Sequence, residues 1–459
     1  MNINQREYNV AKQNGRIIHT KINVLNYDFQ IVGEISGVVL DGSTYNIDAT
    51  SDIRRTCSIS LIPKDRSYNV EYGAKIWLDK YIQVFIGIED NTMINDPFND
   101  DNVVYSNLGL YMINNPDQVY DATNNTITIN GIDLMAKMTG MRNGYLEGLT
   151  YQIPVNSGIK QAMTHLVNDE CGFTRYSIDQ PSPTILTPYE MSFGLGSTAY
   201  NVLTQLRDVN SCYQTYFDQD GIFWFNRIPM GSHEQIMVDD DIWKKTLISY
   251  KRSYDFESVK NVIEVFGKTQ DDGHTPYGIA VETNPDSPFY AGEKIPDTQS
   301  QYTNGIRIVL SGGEYDNIYP LVQYYSYVQI QSPSGNPQSQ GWYEFKNTEY
   351  VLTTDTSVVS GKTYYRREQN DINEFNELAQ QRAEYELYTR CRLQDQLELT
   401  CVPIYWLDVN WLIEITLPNK QTQVEEKQQY ITKKISTTLG VNGSQNITLM
   451  KYYPFYPFD

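Results

Sequence analysis

STAYNVLTQLRDVNSCYQTYFDQDGIFWF, from Ser197 to Phe225, carries a helix and a hairpin in one run. Ala199, Val202, Leu203, Leu206 and Val209 recur at helical spacing and predict an amphipathic helix capped by Ser197 or Thr198. Tyr213 to Phe217 and Ile222 to Phe225 are aromatic, strand-favouring runs. Asp218-Gln219-Asp220-Gly221 stands between them and looks like part of a calcium loop. An EF-hand loop with glycine at its sixth position also needs an oxygen ligand at its first. Tyr216 occupies that place and carries no carboxylate. The segment therefore reads as a hairpin turn in which Gly221 supplies a positive φ. On this reading, Asp218→Asn and Asp220→Asn change neither metal content nor assembly.

Outward from this run the patterns alternate between strand and helix. Cys57, Ile59 and Leu61 alternate with Ser58 and Ser60, and Ile82, Val84, Ile86 and Ile88 recur at every second position. Residues 24–134 thus predict an antiparallel sheet or small barrel, with Asp41-Gly42 and Asn124-Asn125 as turns. Ile159, Ala162, Met163, Leu166 and Val167 share a helical face, with Ser157 as cap and Gly172 as stop. Val262 to Phe266 reads as a strand. Residues 269–370 are the least regular part, with short strands expected within GWYEFKNTEYVLTTDTSVVSGKTYYRR. Residues 372–393 form a helix with Phe375, Leu378, Ala379, Ala383 and Leu387 as its stripe. The strands QLELTCV, DVNWLIEITL, QYITKKISTTL and QNITLMKYY close the chain. KYYPFYPFD leaves the last strand at Pro454, and its aromatic end is expected to fold back or to anchor a neighbour.

The fold class is mainly β with α+β insertions. Its 459 residues suggest about three or four domains. The expected parts are a first β-barrel over 1–140, an α+β module over 141–238, a second barrel over 239–268 and 371–459, and an inserted module over 269–370. No run of about eighteen apolar residues could span a membrane, and the polar N-terminus has no signal-peptide pattern, so folding in a cytosol is expected. Five scattered cysteines without CxxC pairs argue for buried thiols. The formal net charge of −20 disfavours a nucleic-acid gripping surface but suits a wall past which DNA slides. The 37 tyrosines suit strands and interfaces.

Little in the sequence carries chemistry. His19, His165, His233 and His274 lack partners at metal-ligand spacing, and His165 is expected at a core edge. Gly194-Leu195-Gly196 is not a dinucleotide motif. Asp239-Asp240-Asp241 is expected to be a solvated acidic turn rather than a cation site. No nucleophile, phosphate-loop or zinc motif occurs, so no catalytic, cofactor or metal residue is assigned and no enzyme is expected. A glycosidase carboxylate pair cannot be read from sequence alone.

The Ser197–Phe225 run resembles the helix-then-hairpin signature of the phage tail baseplate hub family. NTITINGIDLMAKM resembles the end of that family's first tube-like barrel. SYDFESVKNVIEVFG and the closing WLIEITLP, QQYITKKISTTL and NITLMKYY resemble its second. The resemblance implies two tail-tube-like barrels per chain and a homotrimer that adapts a sixfold tail tube to a threefold central spike. It further implies partners among the tail tube protein, the spike or tip protein, the tape measure protein and other baseplate proteins. DNA would pass through the lumen without specific binding. Such a protein would be assembled in the bacterial host cytoplasm and reside in the virion tail. A tail-associated cell-wall hydrolase and a host-glycan adhesin remain the alternatives.

Overall fold

A computed structural model describes residues 4–36, 39–92, 102–121, 125–154, 156–181, 186–187, 191–209, 213–269, 275–318, 342–346, 349–353, 356–359, 362–365, 369–391, 394–417, 426–440 and 442–453. The architecture is mainly β. Twelve strands join in a single antiparallel sheet drawn from both ends of the chain. Its path begins at Leu247–Asp255 and runs through Gln394–Cys401, Gln445–Lys451 and Glu426–Thr438. There it crosses to Thr44–Asp48 and continues through Arg55–Leu61, Asn125–Ile132, Val103–Tyr120, Tyr81–Glu89 and Ile18–Leu25 to Ile31–Ser36. Leu412–Leu417 pairs with Glu426–Thr438 beside this path.

The two β regions expected as separate barrels are therefore stitched edge to edge. Lys434 to Thr438 pair with Asp48 to Thr44. Period-two burial places their apolar faces together: Ile47, Ile59 and Ile86 share one core with Ile413, Ile435 and Leu449. Alternation along Arg55–Leu61 puts Cys57, Ile59 and Leu61 inside, as their spacing predicts. No pairing between the two ends of the path closes the sheet among the described residues.

A second core belongs to the α+β region. Thr198 caps the helix Ala199–Asp208 and exchanges hydrogen bonds with Asn201 in a capping box. Its buried stripe is Ala199, Val202, Leu203 and Leu206. The hairpin follows as expected, Tyr213–Phe217 against Phe223–Arg227, and Tyr176–Ile178 adds a parallel third strand. The earlier helix departs from expectation. It starts at Gly158 without a side-chain cap, because the Ser157 hydroxyl donates to the Pro154 carbonyl instead. Ile159–Thr164 is α-helical, and His165–Glu170 widens into a π-turn before Gly172 ends the run at φ +70°. Ile159, Met163, Leu166 and Val167 are still buried, since widening leaves them on the inner face.

Val262–Phe266 corrects the boundary expected for the second barrel. It pairs with Tyr277–Val281 and Arg307–Leu310, inside the region read as an insertion. The helix Gln369–Arg390 covers this small sheet through Ala379 and Ala383. Gly278 permits the approach: an ideal Cβ there would lie 2.3 Å from the Ala379 carbonyl carbon. Two further hairpins, Trp342–Lys346 with Glu349–Thr353 and Thr356–Val359 with Lys362–Tyr365, match the short strands expected there. Among the described residues no helix is long and apolar enough to cross a membrane. Residues 454–459, whose docking the sequence leaves open, lie outside the described residues.

Candidate functional site

No group of three or more metal-ligating side chains comes together among the described residues. The Asp218 turn is a fastener. One Asp218 carboxylate oxygen accepts from the Asp220 and Ile222 backbone N–H groups, at 2.9 Å each. The other accepts from Trp224 Nε1 at 2.8 Å. Asp220 accepts from Asn107 Nδ2 at 2.8 Å, which ties the turn to the first β region. Asp218→Asn should therefore lower stability, because its amide nitrogen would face a donor inside a buried turn.

The acidic run at 239–241 is also not a free turn. Asp239 caps the helix Asp240–Thr246 and accepts from the Tyr8 hydroxyl. Asp240 accepts from Thr416 N and pairs with Lys244. Acidic groups at a helix start are favoured by the exposed N–H groups there. His165 is exposed, 3.7 Å from Glu170, rather than at a core edge. Cys57 and Cys401 are buried free thiols whose pKa values burial pushes up.

What the fold brings together instead is a buried polar joint among three regions. Gln214 Oε1, on the hairpin, accepts from Arg54 Nη2 at 2.8 Å and from Asn410 Nδ2 at 2.6 Å. Lys433 donates to Asn410 Oδ1 at 3.0 Å. Arg55 Nη2 pairs with Asp408 Oδ2 at 2.5 Å, and the Arg55 backbone N–H donates to Asp133. The Arg54 guanidinium lies 4.0 Å from the Tyr216 ring centre, and burial pushes its pKa down to about 10. Each of these residues is polar and scattered in sequence, so no local pattern marks them as partners.

Asp133 makes the joint sensitive to pH. Burial pushes its carboxyl up to about 6, against two backbone N–H donors and the neighbouring guanidinium groups. An unfolded Asp titrates near 4. Between those values the folded protein holds a proton that the unfolded chain has released. Stability from this group is therefore greatest below pH ~4 and falls as pH rises through ~6. Relative to Asp133→Asn, the native chain should gain on the order of 1 kcal/mol between pH 7 and 5. Thermal melts of both proteins across that range check this, and parallel curves would contradict it.

The two ends of the twelve-stranded path are the other notable surface. At one end, Ile31–Ser36 exposes Ile31 and Val32. Two lysines cover its outer carbonyls: Lys75 donates to Glu34 O and Lys64 to Ser36 O, each at 3.0 Å. Lysine caps of this kind blunt an edge against indiscriminate pairing. At the other end, Leu247–Asp255 exposes Ile248 and Tyr254, with exposed Phe256 just beyond.

Residues 356–456 match a family model described as a domain of unknown function, DUF5048. No curated protein matches the chain in sequence. Among solved structures, the tail protein from Neisseria meningitidis MC58 aligns at a TM-score of 0.51 and 8% identity, over 94% of this chain and 96% of that one. The 43 kDa tail protein of prophage MuSo2 from Shewanella oneidensis aligns at 0.49 and 10% identity, over 94% and 98% of the two chains. Prophage tail protein gp18 from Listeria monocytogenes EGD-e aligns at 0.47 and 10% identity, over 94% of each chain. At such identity the likeness is one of fold: over nearly its whole length, this chain has the architecture of the Neisseria tail protein.

Proposed function

We propose that the chain is a structural tail protein of a phage or phage-tail-like particle, a baseplate hub subunit whose copies close into a ring of three. The pairing of Lys434–Thr438 with Thr44–Asp48 is the observation that carries this reading. Two β regions already stand side by side in one sheet, and among the described residues both ends of that sheet are without a further strand. Pairing the Leu247–Asp255 edge of one copy with the Ile31–Ser36 edge of the next repeats the same step. Such a head-to-tail contact ends only when the rotation closes. Lys64 and Lys75 would move aside as the neighbour arrives, and neither is buried.

Three copies would carry a formal charge of −60, three times −20. That charge would keep DNA from adhering to an enclosed wall. The ring would join a tail tube on one face and a central spike on the other, and it would perform no catalysis. Sedimentation and negative-stain imaging of the native chain should show a trimeric ring that releases nothing from purified cell walls. Glu34→Pro removes an outward N–H at a sheet edge, where proline is tolerated. It should yield monomers that melt near the native temperature. A monomeric native chain, or unaltered rings in the variant, would defeat the proposal.

A further inference from the structure

The chain builds one kind of hairpin twice. Val103–Tyr120 pairs first with the strand before it, Tyr81–Glu89, and then with the strand after it, Asn125–Ile132. Glu426–Thr438 does the same, first with Leu412–Leu417 and then with Gln445–Lys451. In both hairpins the later pairing slips, between Asn114 and Asp117 in the first and between Thr432 and Lys434 in the second. The residue after each slip faces a threonine: Asp117 opposes Thr128, and Lys434 opposes Thr448. Asp117–Tyr120 is therefore the counterpart of Lys434–Thr437.

The two counterparts differ in what covers them. Lys434–Thr438 has a second neighbour, the antiparallel strand Thr44–Asp48 of the other β region. Beneath that neighbour Ile435 and Thr437 are fully buried. Lys434 pairs with Asp48 at 2.8 Å, and the Ser436 hydroxyl donates to Asn46 Oδ1 at 2.7 Å. The matching flank of the first hairpin carries no second strand among the described residues. Arg142 donates to the Ile113 carbonyl at 2.6 Å and covers the flank only up to the slip. Past it Asp117, Gln118, Val119 and Tyr120 are all exposed, Val119 at 51% and Tyr120 at 81%. An uncovered ladder with exposed apolar side chains is a template for another strand.

The filled flank indicates what fills the open one. The strand on Lys434–Thr438 comes from the β region next in line. For the first hairpin, the β region next in line in a head-to-tail ring belongs to the adjoining copy. The charge is reversed as well. Asp117 stands where Lys434 meets an aspartate, so a basic group on the incoming strand would complement it. We propose that Asp117–Tyr120 receives an antiparallel strand from a second copy of this chain, a contact additional to the pairing of sheet edges. This rests on the ring reading and extends it to a second seam.

Amide hydrogen exchange tests it, with the assembled native chain compared against the same chain diluted to monomers. Alternate amides of an edge strand point outward, so exchange at alternate residues of Asp117–Tyr120 should slow about tenfold or more on assembly. Asp117→Lys replaces the matching charge at an exposed position. It should weaken association about tenfold or more at an unchanged melting temperature. Rings in which none of these amides is slowed, or unaltered association of Asp117→Lys, would overturn the contact and leave the ring standing. Protection already present in the monomer would also overturn it, because part of the same chain would then cover the flank. A native chain that stays monomeric at every concentration would overturn both the contact and the ring.

Discussion

Gly221→Val should lower stability by about 2–5 kcal/mol, a large share of what holds a domain together. Two separate causes add. Gly221 sits at φ +71°, where a β-branched residue is strained by about 1–2 kcal/mol. The turn also presses on the neighbouring core. A Cβ at this position would lie 2.5 Å from Leu110 Cδ2 and 3.1 Å from Leu134 Cδ1. Relief of that overlap must shift either the turn or the core, and Phe223 and Phe225 beyond it are fully buried. Circular-dichroism melts of native chain and variant measure the effect. Coincident melts would mean that the turn does not seat against Leu110.

Asp408→Ala should cost about 3–5 kcal/mol, because it leaves the buried Arg55 guanidinium without its carboxylate. The Arg55 side chain is 3% exposed and Asp408 13%, so water cannot readily replace the lost partner. The penalty belongs to the stranded charge rather than to the attraction itself. A double substitution, Arg55→Met with Asp408→Leu, should therefore recover much of the loss. Denaturant titration of the single and double variants makes the comparison. Equal losses in both would show that the site depends on shape instead of charge.

These two positions also show what could be read from residues alone. The hairpin around Gly221 was legible, since aromatic runs flank a turn that needs a positive φ. The Thr198 cap and the stripe after it were legible for the same reason, because neighbours in sequence are neighbours in space. That Gly221 touches Leu110 was not, because alternation says which face is buried and not what covers it. Val262–Phe266 was legible as a strand, but its partners are short strands within a polar, glycine-rich region. The Arg54–Gln214–Asn410 joint left no local trace, because isolated polar residues look alike whether wet or buried. The expected tail-protein architecture did emerge, because the order of β and α+β segments is itself a sequence-length pattern.

The seam between the two β regions has a consequence for how the chain is made. Asn46 and Ser436 hydrogen-bond across it, 390 residues apart. A ribosome adding 5–20 residues per second would need roughly 20–80 s to deliver the second strand after the first. Throughout that interval Thr44–Asp48 has one side of its backbone unmatched. Nascent chains on neighbouring ribosomes would present the same unfinished border at the same moment. Slow translation or crowded polysomes should therefore favour entanglement between copies, and yield in a heterologous host should depend on chaperones that shield the border until the C-terminal strands emerge.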